Sequence, residues 1–234
     1  DFKDAGIYTI ARIAIFKDDH LARARARARE NLLAFSLYTM PGFQVNWHHE
    51  VLAAALHDWL DGTSPHLIVE MPSRMSKSEM VSRRLPAFIF GQDPDAQVIA
   101  TSYGASLASD MNRDVQIIMD DPSYIELFPQ TRLWSKNVRT VAGGTWIKNS
   151  NQFQVVGRRG YYRCAGVGGS ILGKGASHLL IDDPHKDWED ASSIVKRERA
   201  WNWLHGVFLQ RRNTDRARVL ITATRWNDDD LIGR

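Results

Sequence analysis

Cysteine is the residue this chain does without: its 234 positions hold a single one, Cys164. An internal disulfide is thereby excluded, and a reducing compartment suits the chain. No run of about 18 apolar residues occurs, which excludes a transmembrane helix, and no signal-peptide pattern opens the sequence. The 8 histidines never fall at H-x-x-x-H or H-E-x-x-H spacing. The adjacent His48 and His49 are therefore read as surface or packing residues, not metal ligands. Neither sign of charge dominates. A net charge of +3 and a pI near 9.1 permit a polyanionic partner without demanding one. Internal repeats are missing, and the only biased tract is the Ala-Arg alternation from Ala22 to Arg29. An initiating Met is missing too, and the chain stops in mid-element at Arg234, as expected of a fragment of something longer.

What remains is an ordinary globular composition, 44% hydrophobic and 24% charged, in a length that suits one large domain or two small ones. The chain is organised around residues 66–79. Leu67-Ile68-Val69 reads as a buried strand, a tight loop carrying Lys77-Ser78 follows, and residues 79–90 read as a helix. Strand, loop, Lys-Ser, helix is the order of a phosphate-binding loop, whose amides and helix dipole face an anion. In that role Lys77 reaches the β- and γ-phosphates and the Ser78 hydroxyl ligates Mg²⁺. The two glycine positions of G-x-x-x-x-G-K-[ST] are held here by Met71 and Ser76. If position 76 needs a positive φ, serine is strained there by about 1–3 kcal/mol. A rival, Gly168-Gly169-Ser170-Ile171-Leu172-Gly173-Lys174-Gly175, fits G-x-x-x-x-G-K, but only Ala176, Ser177 and His178 separate it from the next apolar run. No helix fits in that gap to supply amides, so the stretch reads as a glycine-rich connection between strands.

Elsewhere the chain alternates strands with helices. Residues 1–40 read as helical and peripheral, and the arginines of the Ala-Arg tract spread over two faces of a solvated helix instead of forming one DNA-facing patch. After Pro41-Gly42, Asn46 is placed to cap a helix to about Leu60, with Val51, Leu52, Ala55, Leu56, Trp59 and Leu60 on one stripe and Asp61-Gly62 ending it. Residues 97–103 read as a strand, and Gly104 opens a helix to about Met119. From 137 to 167 short alternating runs, Thr145-Trp146-Ile147, Phe153-Gln154-Val155-Val156 and Tyr161 to Ala165, are punctuated by Gly143-Gly144, Asn149-Ser150-Asn151 and Arg158-Arg159-Gly160, which is hairpin chemistry. Arg158 and Arg159 at a turn are candidates for contacting phosphate. Ser192 or Ser193 is placed to cap an amphipathic helix carrying Trp201, Leu204, Val207 and Phe208. This order predicts an α/β fold with a mostly parallel sheet and crossover helices.

Leu179-Leu180-Ile181-Asp182-Asp183-Pro184 is an apolar strand ending in two carboxylates, at the end where α/β sheets bind ligands. Phosphoryl transfer needs Mg²⁺ between a loop hydroxyl and a strand-end carboxylate, and a group to orient the attacking water. Ser78 and Asp182 suit the metal, and Asp183 suits the water, with Asp187 or Glu189 as substitutes. Residues 218–225 form a third strand, ending in Thr222-Ala223-Thr224-Arg225. Together these features read as a P-loop ATPase.

Met71-Pro72-Ser73-Arg74-Met75-Ser76-Lys77-Ser78-Glu79 resembles the P-P-R-H-G-K-S-E loop of phage large terminase subunits. Gly166-Val167-Gly168-Gly169-Ser170 with Gly173-Lys174-Gly175, then Leu179 to Pro184, is similar to that family's glycine-rich lead-in and Walker B. Thr224-Arg225-Trp226 with Asp229-Asp230-Leu231-Ile232-Gly233-Arg234 resembles its T-R-W…D-D-L-x-G-R coupling segment. The matches span residues 44–234 in family order. They imply a RecA-like, additional-strand (ASCE) P-loop NTPase: a helical N-terminal region over 1–62, an ATPase core over 63–234 and a β-hairpin insertion. The family's C-terminal RNase H-like nuclease is not expected within this chain. Residue by residue, the resemblance makes Ser73, Arg74, Met75, Ser76, Lys77, Ser78 and Glu79 the ATP-binding loop, and sets Gln44 where the family reads adenine. It makes Ser78 and Asp182 the metal site, and Lys77, Arg74 and Asp183 the catalytic groups. Asp183 stands where many motors have Glu. Thr222, Ala223, Thr224 and Arg225 become the coupling element, with Arg158 and Arg159 as arginines for a neighbour's site. ATP and Mg²⁺ are the implied cofactors. Double-stranded DNA, a portal protein, a small terminase subunit and further copies of the chain in a ring of five are the implied partners. The implied setting is the host cytoplasm during assembly, not the mature virion or a membrane.

Two other functions fit the same residues. A helicase-type ATPase on a related fold is distinguished by unwinding a duplex instead of travelling along it. A degenerate P-loop serving only DNA binding or assembly, which Ser76 favours, is distinguished by the absence of ATP turnover.

Overall fold

The computed structural model describes residues 18–134, 138–139, 146–171 and 173–234. The expectations for residues 1–17, the Gly143-Gly144 turn, Thr145 and Leu172 lie outside these.

Three runs of sequence dictate the centre of the fold. The strands β2 (Gln97–Ser102), β7 (His178–Asp182) and β8 (Arg218–Ala223) are almost wholly buried along their length. Such continuous apolar runs belong to a parallel sheet covered on both faces. Side chains alternate across it. Val98, Ala100, Leu180 and Leu220 pack into one core, while Ile99, Leu179, Ile181, Val219 and Ile221 pack into a second. With β1 (His66–Glu70), β5 (Gln152–Gln154) and β6 (Tyr161–Gly166) these strands form a six-stranded sheet in the order β1-β8-β7-β2-β6-β5. Every neighbouring pair is parallel except β5–β6. The expected hairpin is that antiparallel pair, and its second strand is also a full member of the main sheet beside β2. A separate two-stranded ladder joins β3 (Val138–Arg139) to β4 (Trp146–Ile147).

One face of the sheet carries α1 (residues 18–30), α2 (Leu32–Thr39), α3 (Trp47–Asp61), α4 (Leu85–Gln92) with its preceding π-turn (Glu79–Arg84), α5 (Ala105–Asp120) and α6 (Pro122–Leu127). The other is covered by α8 (Ile194–Trp203) and the turns that follow it, with α7 (Trp188–Ser192) just before. The N-terminal helices are not peripheral as expected. Ala28, Leu32 and Phe35 are fully buried, and the Phe35 ring lies 5.5 Å from Phe88 and 6.0 Å from Tyr124. Nor is the Ala-Arg tract simply solvated. Arg29 Nε donates to the Leu127 carbonyl at 2.9 Å, and Arg25 pairs with Glu126. Ala28 lets this basic helix approach the core, while Arg25 and Arg29 reach sideways to α6.

Helix α3 starts where the sequence places it. Asn46 caps it in a reciprocal box with His49, whose Nδ1 accepts the Asn46 amide at 2.9 Å. It ends at Gly62, φ 91°, a left-handed stop that glycine adopts without penalty. Its buried stripe is His49, Leu52, Ala53, Leu56 and Trp59, whereas Val51, expected inside, is exposed. No helix among the described residues is long and apolar enough to cross a membrane.

At the amino end of β7, His178 packs on Trp59 with ring centroids 5.4 Å apart. Burial, reinforced by the nearby Arg218, lowers its imidazole pKa from 6.5 to about 3. In the unfolded chain that ring takes up its proton near pH 6.5. Its contribution to stability is thus fully present above that value, and declines as pH falls toward 3 by about 1.4 kcal/mol per pH unit. The thermal midpoint should therefore fall more steeply from pH 7 to 4.5 in the wild type than in His178→Leu. Equal slopes by calorimetry would remove His178 as the cause.

Candidate functional site

Five parallel strands present their carboxyl ends along one edge, and loops from three of them converge there. β1 leads through Met71-Pro72 into a loop whose helix begins at Lys77. Two residues of the loop sit in the left-handed region, Arg74 at φ 64° and Ser76 at φ 60°. Alternating hands turn successive N–H groups toward one side, the backbone nest that receives anions. The expected positive φ at position 76 is thus present and is borne by serine.

Lys77 is only 4% exposed. Its Nζ makes an ion pair with Asp183 Oδ1 and lies 3.6 Å from Asp182 Oδ1. Asp182 ends β7 and is 3% exposed. Its Oδ1 accepts the Thr222 hydroxyl at 2.6 Å, and its Oδ2 accepts the Ser82 hydroxyl at 2.6 Å. Asp183 takes φ 45° and turns the chain off the strand. Its Oδ1 accepts the Thr224 amide at 2.9 Å, and its carbonyl accepts the Tyr103 amide at 3.0 Å. The buried Lys77 and Asp182 thus meet the half-buried Asp183 in one cluster.

β8 lies between β1 and β7 and touches both arms of the site. The Met71 amide donates to the Ala223 carbonyl at 3.2 Å, and the Thr224 hydroxyl donates to the Met71 carbonyl at 3.3 Å. Arg225 is held by Glu70 and Asp230, each at 3.0 Å. It belongs to the body of the domain and knots the C-terminal turn, where the buried Asp230 also accepts the Gly233 amide at 3.0 Å.

The remaining expected residues divide. Ser73 and Arg74 are exposed on the loop; Met75, Ser78 and Glu79 are half-buried. Arg74 makes no hydrogen bond or ion pair among the described residues. Glu79 turns away to Arg84 at 2.7 Å and Arg83 at 3.6 Å. Asp187 caps α7 by accepting the Asp190 amide at 2.8 Å, and Glu189 follows within that helix. Arg158 and Arg159 lie on the β5–β6 turn, at the opposite end of the sheet from Lys77. There the Arg159 amide donates to Asp95 at 2.7 Å, and a Cβ on Gly160 would meet the Pro94 carbonyl oxygen at 2.1 Å. Lys174 lies over the Tyr161 ring, 4.4 Å from its centroid, in a loop with no helix after it.

A cleft of about 510 Å³ opens beside the loop, between the first turns of α3 and β1. Trp47, His48, Val51, Ile68, Met71 and Met75 line it, and Trp47 is 71% exposed. Both His48 ring nitrogens are buried with no partner among the described residues. Gln44 is exposed and does not line this cleft. Sequence reasoning therefore missed Trp47, His48 and Ser82. The two aromatics at the start of the helix that precedes β1 were the signal available for the cleft.

A mostly parallel sheet with β8 inserted between the loop strand and the acidic strand defines the RecA-like, additional-strand class of α/β fold. No family model and no curated protein matches the sequence. The fold is similar to the crystal structure of the HK97 bacteriophage large terminase, with a TM-score of 0.56, 11% identity and coverage of 87% of this chain. This chain spans 39% of that one. The likeness is therefore one of fold.

Serine at φ 60° is strained where glycine is not. Ser76→Gly should raise the thermal midpoint by the equivalent of about 1 kcal/mol and Ser76→Val should lower it. The reverse order in a thermal melt would show that the loop carries no strain at this residue.

Proposed function

We propose that this chain is the ATP-hydrolysing motor domain of a terminase-type machine that moves double-stranded DNA into a viral capsid. The observation that carries the reading is the meeting of the buried Lys77 with Asp182 and Asp183 across the inserted strand β8. A lysine at the head of a helix, beneath a loop with left-handed residues, suits a polyphosphate. In this reading the Met71–Ser78 loop and Lys77 bind the β- and γ-phosphates. The base occupies the cleft at Trp47 and His48 instead of contacting Gln44.

The donor set suits Mg²⁺. One carboxylate, Asp182, and one hydroxyl, Ser78, offer hard oxygens, and this ion is usually held by one or two carboxylates together with substrate phosphates. When bound, Mg²⁺ neutralises charge on the phosphate oxygens. Asp183 orients the attacking water and draws off its proton as the oxygen bonds to the γ-phosphorus and ADP leaves. For Asp183 to do so, Lys77 must exchange the carboxylate for the phosphates. Arg74, exposed and with no partner among the described residues, is free to swing to the γ-phosphate. Thr222 to Arg225 couple the chemistry to movement, because this strand end bonds both the loop base and Asp183. The wider machine is a ring of copies, with Arg158 and Arg159 as its between-subunit arginines. A portal protein, a small terminase subunit and DNA are its partners in the host cytoplasm.

Turnover is the direct test. Asp183→Asn should bind ATP yet hydrolyse it about 10²–10⁴-fold more slowly. Lys77→Ala should lose nucleotide binding, while Lys174→Ala should keep it. Binding lost in Lys174→Ala alone would move the site to the glycine-rich stretch.

A further inference from the structure

Ser82 belongs to no motif of the phosphate loop, yet its hydroxyl reaches the most buried acid of the site. It is 4% exposed and lies in the π-turn Glu79–Arg84, where the Leu85 amide returns to the Met80 carbonyl. A helical serine has an easier partner, the carbonyl four residues earlier. Ser36 and Thr39 on α2 take that course, donating to Leu32 and Phe35 at 2.8 Å. Ser82 does not; its hydroxyl crosses to Asp182 Oδ2 at 2.6 Å.

The other oxygen of the same carboxylate accepts Thr222 Oγ1 at 2.6 Å. Asp182 is therefore gripped from two sides, by the helix that follows the phosphate loop and by the inserted strand. With both oxygens committed, the carboxylate cannot rotate without leaving a buried hydroxyl unpaired, at a cost of about 1–3 kcal/mol.

We propose that Ser82 is a positioning residue for a divalent cation: acting through Asp182, it fixes the orientation in which that carboxylate meets the ion. The inference rests on the nucleotide reading above and adds a residue to it. Partners that orient metal ligands typically affect metal affinity 10–100-fold when removed.

The test separates cation from nucleotide. ADP binding to the whole chain is measured by calorimetry in Mg²⁺ and in EDTA, and Mn²⁺ binding to the ADP complex by electron paramagnetic resonance. Ser82→Ala, and Ser82→Cys with its weak thiol donor, should bind Mn²⁺ and Mg²⁺-dependent ADP about 10–100-fold more weakly. Their affinity for ADP in EDTA should equal the wild type's, and Ser82→Thr should retain the cation affinity. Wild-type cation affinity in both Ser82→Ala and Ser82→Cys would overturn the proposal. So would an equal loss in EDTA, which would make Ser82 a support of the loop alone. A wild type that binds no ADP under either condition would instead overturn the nucleotide reading, and this inference with it.

Discussion

The cluster of Lys77 with Asp182 and Asp183 is the constraint around which the rest of the structure is arranged. Lys77 and Asp182 are buried; charged groups so placed are costly to desolvate, and their attraction compensates only when the remaining donors and acceptors are also satisfied. The satisfaction comes from far apart in the chain: Ser82 from the loop helix, Thr222 from β8, Thr224 just past its end, and Lys77 itself. Each contact needs a particular sheet order. Were β8 not between β1 and β7, no strand end would reach both Asp183 and the base of the loop. The two hydrophobic cores on either face of the sheet hold that order. The buried polar cluster in turn selects one register for the strand ends.

Backbone strain gathers at the same place. The non-glycine residues with positive φ among the described residues are Arg74, Ser76 and Asp183. All three are in the loop or in the acid pair. Left-handed residues there cost stability, and their concentration at one end of the sheet suits a site held open for a ligand. The opposite end holds no non-glycine residue of positive φ among the described residues, and there the neutral His178 packs against Trp59. Stability is thus drawn from the floor of the sheet and given up at its rim.

Much of this was legible along the chain because it is local. The strand-loop-helix order around Lys77, the acids ending β7, the Asn46 cap and the Gly62 stop each depend on a few consecutive residues. The glycine-rich stretch could be set aside because a short gap cannot hold a helix. What was not legible depends on distant partners. The N-terminal helices read as peripheral because an Ala-Arg alternation has little hydrophobicity, yet Ala28 is buried because Phe35 and Leu32 lie on the helices' inward side. Gln44, matched by position to a base contact, is exposed and does not line the cleft at Trp47 and His48. Ser82 looked like any polar helix residue, since its partner lies 100 positions away.

The arrangement also implies how such a site can transmit a change in its ligand. Asp183 Oδ1 is shared by the Lys77 ammonium and the Thr224 amide. A group that competes for Lys77 removes one of these two donors and leaves the carboxylate to the other. Thr224 is bonded through its hydroxyl to Met71, at the root of the loop, and is followed by Arg225, which holds Glu70 and the C-terminal turn at once. A shift of Asp183 therefore bears on the end of β8, and from there on both the loop and the turn at Asp230. The route is short because a single strand end carries all of its contacts. The hydrogen bonds of Asp183 and Thr224 and the ion pairs of Arg225 thus tie the end of β8 to the loop and to the C-terminal turn.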